Sequence, residues 1–262
     1  MWIAKLLRVA DPRSAQTGNQ QLQLILCARQ DSRVTTITPT KHGLRLSQHG
    51  VVISELRTSP GPTHSVFDVL AATISVLAPK DRIGVLGFAG GGMMSPLRGL
   101  GVEAVIDSVD LDRAGYDLFR QHCPQWASSL NWEQSDAVAW LREQPRNFGL
   151  LMDDLSVPQN GDVFKPAVSW DVLPKLMRSR LRSGGFGVFN LLPAPSGTWN
   201  SDLTRIVNVF KTARIIDLND FENHILITGE TLPTARELGS QLRQSLQHLR
   251  SRQAGRIQVR TV

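Results

Sequence analysis

The sequence predicts an α/β protein: a seven-stranded, mostly parallel sheet with a terminal antiparallel hairpin, preceded by a small N-terminal β-sheet domain. Three observations predict it. From residue 65 onward, helical and strand patterns alternate, the order expected of a parallel sheet covered on both faces. Before that point the chain holds short β-branched or alternating runs separated by turn residues. Between the first and second strands of the main sheet lies G-V-L-G-F-A-G-G-G-M-M (84–94), and V-I-D-S-V-D-L-D follows at 105–112. A strand, a glycine-rich turn, a helix and a second strand tipped with acids form a nucleoside-binding signature.

The elements follow in order. Residues 21–27 (Q-L-Q-L-I-L-C) alternate as a half-buried strand, and 33–37 are β-branched. Residues 44–46 and 51–53 flank a turn at His49-Gly50, and Ser59-Pro60-Gly61-Pro62 breaks the chain. Helices are expected over 66–77, 93–100, 113–122, 137–143, 170–181 (interrupted by Pro174) and 203–211. Strands are expected over 83–86, 104–109, 128–132, 148–152, 186–192, 213–218 and 224–228, the last two forming the hairpin. The domains are then 1–60, 61–235 and a basic C-terminal helix and tail at 236–262.

In an open parallel sheet, ligands sit beyond the carboxyl ends of the strands. Gly87-Phe88-Ala89-Gly90-Gly91 follows the first strand and Asp110-Leu111-Asp112 ends the second. Ser135-Asp136-Ala137 follows the third, and Asp153-Asp154-Leu155-Ser156 ends the fourth. Four successive strand ends thus carry glycine or acid. Asp136 and Asp112 also stand where helix N-caps are needed. Asp110 does not, because its side chain lies on the strand.

Composition bounds the rest. A hydrophobic content of 41% and a charged content of 20% fit a chain with a real core. The most apolar stretch, 66–78, contains Asp68 and is too short to span a bilayer. The N-terminus shows no secretory pattern. Cys27 and Cys123 fit a reducing cytoplasm and have no zinc-like spacing, so no metal is expected. Net charge is +6, with Arg236, Arg243, Arg250, Arg252, Arg256 and Arg260 near the C-terminus. Leu238, Leu242, Leu246 and Leu249 recur at helical spacing, so this region reads as an amphipathic helix with a frayed basic tail. Without aromatic interleaving or a reader motif, it does not read as a nucleic-acid surface.

These motifs resemble the class I S-adenosylmethionine-dependent methyltransferase superfamily, with its Rossmann-like sheet, and within it the spermidine synthase-like (aminopropyltransferase) family. V-L-G-F-A-G-G-G-M-M resembles that family's glycine loop, V-L-x-I-G-G-G-D-G-G. V-D-L-D (109–112) resembles its V-E-I-D, S-D-A (135–137) its G-D-A, and F-G-L-L-M-D-D-L-S-V-P (148–158) its Y-D-V-I-I-x-D-x-x-D-P. H-S-V-F-D-V-L (64–70) sits where the family has a Y-H-E-x-L-like helix, and the run from 163 to 185 ends in a similar L-R-S-G-G. The resemblance implies S-adenosylmethionine or its decarboxylated form as cofactor. Gly87, Ala89, Gly90 and Gly91 would let its methionine-derived part approach the backbone. Asp110 would take the ribose hydroxyls and Asp136 the adenine amine, with Leu111 and Ala137 beside them in the cofactor site. Asp154 would deprotonate an attacking amine. A small-molecule acceptor, possibly an amine in polyamine biosynthesis, and a homodimer are the partners it implies.

The sequence also departs from the family. Gly90 and Val157 stand where relatives carry aspartates, as does Gly149, and Tyr116 is the single tyrosine. A diamine needs carboxylates at both ends, so these losses weaken a polyamine reading without touching nucleoside binding. Four readings stay open: a transferase of unidentified acceptor, a true aminopropyltransferase, a non-catalytic cofactor-binding relative, and a nicotinamide-dependent oxidoreductase. The last fits the N-terminal β-domain and S-D-A least well.

Overall fold

The computed structural model describes residues 28–30, 33–48, 50–159, 162–192 and 199–262. The strand expected over 21–27, with Cys27, and the turn residue His49 lie outside them. Four strands build the small sheet: β1 (Ala28–Gln30), β2 (Arg33–Thr40), β3 (Gly43–Gln48) and β4 (Val51–Arg57), paired antiparallel in that order.

The main unit then alternates. Helix α1 (Val66–Leu77) leads to β5 (Ile83–Leu86), α2 (Met94–Gly99), β6 (Ile106–Asp110), α3 (Ala114–His122), β7 (Leu130–Gln134), α4 (Ala137–Glu143) and β8 (Phe148–Asp153). A small hairpin, β9 (Val157–Gln159) and β10 (Asp162–Phe164), precedes α5 (Val168–Arg180). The chain closes with β11 (Leu181–Leu191), α6 (Trp199–Val207), β12 (Thr212–Leu218), β13 (His224–Gly229), α7 (Ala235–His248) and β14 (Ile257–Thr261).

The large sheet runs β14-β12-β13-β11-β8-β5-β6-β7. Strands β7, β6, β5, β8 and β11 are parallel; β13 is antiparallel to both β11 and β12. Two expectations need correction. The sheet has eight strands rather than seven, because residues read as a frayed tail pair antiparallel with β12 as β14. Helix α5 is not interrupted at Pro174: the proline is buried inside a continuous helix whose Trp170, Leu173 and Met177 pack into the core. That packing holds the helix despite the one backbone donor a proline removes.

Side chains alternate along the strands, so the sheet has a core on each face. On one face Ile83, Val85 and Met152 join Leu70 and Ile74 of α1 and Leu242 of α7. On the other, Leu86, Leu151 and Phe189 join Trp140 of α4 and Leu173 of α5. Strand order reverses between β5 and β8, where Leu86 pairs with Asp153. That switch point is where a crevice opens in such sheets.

Candidate functional site

The glycine loop leaves β5 at Leu86 and turns at once. Gly87 has φ 88°, and its N–H donates to the Val109 carbonyl at 2.9 Å. A Cβ there would lie 2.8 Å from the Asp154 carbonyl oxygen, so only glycine lets the two strand ends approach. Ala89 is also left-handed, at φ 47°. Asp110 holds it: Oδ2 accepts from the N–H groups of Phe88 and Ala89 at 2.9 and 2.8 Å, while Oδ1 accepts from Asp112 N–H at 3.1 Å. A carboxylate has about four lone-pair sites, so three backbone donors leave Asp110 room for one more partner. Helix α3 passes close behind, where a Cβ at Gly115 would stand 1.9 Å from the Ala89 carbonyl oxygen. Gly115 is a site residue that sequence reasoning missed; its only signal was a glycine in the first turn of a helix.

Gly87, Ala89, Asp110, Leu111, Asp136, Ala137 and Asp154 line one cleft at the switch point. Leu111 stands at its rim, 63% exposed. Asp136 caps α4, its Oδ1 accepting from Val138 and Ala139 N–H groups at 3.0 and 2.9 Å. It therefore both starts a helix and borders the cleft. Asp112 likewise accepts from Ala114 N–H at 2.9 Å. Gly91 faces a smaller cavity behind the loop, shared with Gly87 and Asp154. Gly90 turns the other way, under the N-terminal sheet. A Cβ at Gly90 would come within 3.0–3.1 Å of the Leu56, Leu46 and Ser54 side chains, so any larger residue there must push into the packed roof.

The two adjacent acids at the end of β8 have separate fates. Asp153 is fully buried and pairs with Lys165, equally buried, at 2.8 Å. The Lys165 ammonium also donates to the Asp153 and Leu155 carbonyls, each at 3.0 Å, which satisfies its three donors. Lys165 was not anticipated, because nothing in the pattern of 163–168 marks it as buried. This pair fixes the turn that presents Asp154 to the cleft. Asn190 on β11 donates to Asp154 Oδ1 at 2.7 Å and accepts from Asn223 at 2.9 Å. Burial pushes the Asp154 carboxyl up to about 6, against the opposing pull of Asn190 and Lys165.

Beyond Asp154 the lining becomes apolar: Val157, Val163, Pro166 and Val168, with Ile53 reaching in from β4. Tyr116 is elsewhere, stacked on Trp132 at 4.3 Å. At the other end of β8, a Cβ on Gly149 would strike the Asp81 side chain at 2.3 Å, where Asp81 bridges Arg182 at 2.8 Å. Among the described residues no cluster of three or more His, Cys, Asp or Glu side chains could hold a metal. The Cys123 thiol is buried and raised to about 11, which keeps it protonated and unreactive. No helix among the described residues is long and apolar enough to cross a membrane.

No protein-family model matches the sequence, and no curated protein does either. Solved structures do match by fold. A probable spermidine synthase from Corynebacterium glutamicum superposes with TM-score 0.71 at 17% identity, over 88% of each chain. A spermidine synthase in complex with the transition-state analogue AdoDATO gives 0.61 at 12%, over 79% of this chain and 73% of that one. Human methyltransferase-like protein 13 in complex with SAH gives 0.54 at 18%, over 72% and 92%. The chain thus shares its fold with these structures, a spermidine synthase-like fold. Two of these neighbours were solved with a ligand, AdoDATO in one and SAH in the other.

Proposed function

We propose that this protein is a spermidine synthase-like transferase that binds S-adenosylmethionine or decarboxylated S-adenosylmethionine and transfers a methyl or aminopropyl group to a small-molecule acceptor. One observation carries the reading. Asp110 clamps the glycine loop at the sheet's switch point, and Asp154 faces it across the same cleft. The residues present fit an adenosyl cofactor, since Gly87 and Gly115 let the glycine loop pack closely against the end of β8 and against α3, which holds its backbone at the cleft's edge. Asp110 would accept from the ribose hydroxyls, and Asp136 with Ala137 would border the adenine.

The cofactor would bring a carbon already activated by a sulfonium leaving group. The protein's part is then positioning and proton removal. An ammonium acceptor must lose a proton before it can attack, and Asp154, raised to about 6, is matched to that task near neutral pH. The apolar lining at Val157 and Val163 favours an acceptor other than a diamine, because the other carboxylates among the described lining residues, Asp110, Asp112 and Asp136, are committed to the glycine loop and helix starts.

Calorimetry with both cofactor forms tests the reading. We expect binding of at least one, weakened about a hundredfold or more by Asp110→Ala, which removes a charged acceptor and the loop's brace together. No binding of either form would sink it. Putrescine with the decarboxylated cofactor, yielding methylthioadenosine, would favour a true aminopropyltransferase instead.

A further inference from the structure

A second cleft, of about 190 Å³, lies where the N-terminal sheet meets the linker before α1 and the short turn after α7. It shares no residue with the cleft at the switch point. Lys41 and His42 stand at the β2–β3 turn, Arg45 and Arg57 on β3 and β4, His64 before α1, and Arg252 on the far wall. The acids nearby are already engaged. Glu55 bridges Arg45 at 2.8 Å. Asp68 accepts from Thr63 N–H, Thr63 Oγ1 and His64 N–H at 2.7, 2.7 and 2.8 Å. Asp220 bridges Arg256 at 2.5 Å.

Arg57 Nε is buried and has no hydrogen-bond partner among the described residues. A buried guanidinium N–H without an acceptor is costly, and proteins rarely leave one without a reason. His64 sits in left-handed backbone at φ 63°. Its Nδ1 accepts from Arg252 N–H at 3.3 Å, so a neutral ring carries its proton on Nε2. Burial, then the fields of Arg252, Arg57 and His42, hold His64 below its ordinary value despite Asp68. The cleft therefore collects donors and positive charge with too little anion to balance them.

We propose that this cleft binds a small phosphoryl oxyanion, with the guanidinium groups of Arg57 and Arg252, both in its lining, as the principal donors. Donors reach it from the β2–β3 turn, β4 and the post-α7 turn, which suits a tetrahedral group with several acceptor oxygens better than a planar carboxylate. The proposal is independent of the transferase reading.

Inorganic phosphate is the probe, with malonate as the carboxylate control, on the full chain. Calorimetry should show phosphate binding that Arg57→Gln weakens by about tenfold, the loss of one charge-assisted hydrogen bond, with a smaller loss in Arg252→Ala. Because Arg57 is partly buried, the wild-type protein supplies a second readout. Phosphate should raise the His64 pKa in a proton NMR titration, as a nearby anion favours the charged ring. No heat and no His64 response would overturn the proposal. So would binding unchanged in both variants, which would mean an adventitious ion only, or malonate binding as tightly as phosphate.

Discussion

The two halves of the cleft are built by different means. The half proposed for the nucleoside is made by backbone: a glycine loop whose N–H groups Asp110 gathers, and an α3 glycine that lets the loop sit against its helix. The half proposed for the acceptor is made by side chains: a buried ion pair that sets a turn, a carboxylate held by an asparagine relay, and a valine-rich wall. Backbone demands restrict residue type to glycine or acid, so they persist as motifs. Side-chain packing accepts many solutions, so it leaves little mark on the sequence, and it is where one transferase differs from the next.

The sharpest way to break this comparison is at Lys165. If the Asp153–Lys165 pair only fixes a turn, its loss should damage stability and the acceptor half while sparing the nucleoside half. Lys165→Met strands a fully buried carboxylate, which costs about 3–5 kcal/mol. Urea unfolding should show that loss, and Asp153→Asn in the same chain should restore much of it. Where enough protein stays folded, cofactor affinity should change little. A Lys165→Met protein as stable as the wild type would mean that the pair does not organise the turn.

Asp154 sharpens the comparison next. Its carboxyl stands at about 6 rather than the ordinary 3.8 because it is buried at the cleft floor. An acid with a raised value favours the protonated folded state. Its stabilising contribution is full below about pH 3.8 and is lost as pH rises through 6. Asp154→Asn removes that penalty, so the variant should be more stable than wild type at pH 8, by roughly 2 kcal/mol after allowance for partial exposure, and not at pH 4. The same change should abolish transfer to an amine, while wild-type activity should climb as pH passes 6. A stabilised but inactive variant is the signature of a group placed for chemistry rather than for folding.

How much of this was legible follows the same division. Helix α1 and strand β5 fall where periodicity put them, over 66–77 and 83–86, because an amphipathic stripe and a short apolar run bounded by turn residues have few other readings. The strand ends could be read because glycine and aspartate are scarce inside strands and stand out at their tips. Lys165 was not legible: a lysine among Val163, Phe164 and Pro166 reads as solvated until tertiary structure buries it. Nor was the β9–β10 hairpin, whose strands are only three residues each. Gly90 stands where the family carries an acid, and it sits tightly under the roof. The helical leucines of α7 were plain, but the strand after it was hidden by arginines that suggested a loose tail.

That last strand gives the smallest effect and the clearest contrast with the buried pair. Strand β14 lies at the sheet edge, where charged side chains are expected because they discourage pairing with another chain. Arg260 donates to Asp217 Oδ2 at 2.6 Å, and its side chain is 50% exposed. Burial alone would raise Asp217, but the Arg260 hydrogen bond and charge outweigh it and hold that carboxyl below its ordinary value. The sign is thus opposite to that of Asp154: the contribution is present above about pH 3.8 and fades as pH falls through the depressed value. An exposed pair is worth less than about 1 kcal/mol, so Arg260→Ala should lower the unfolding midpoint only slightly at pH 7, and less in high salt. A loss several times larger would show that β14 is tied to the sheet by its ion pair rather than by its backbone ladder and Ile257, and the arginines would then hold the tail in place.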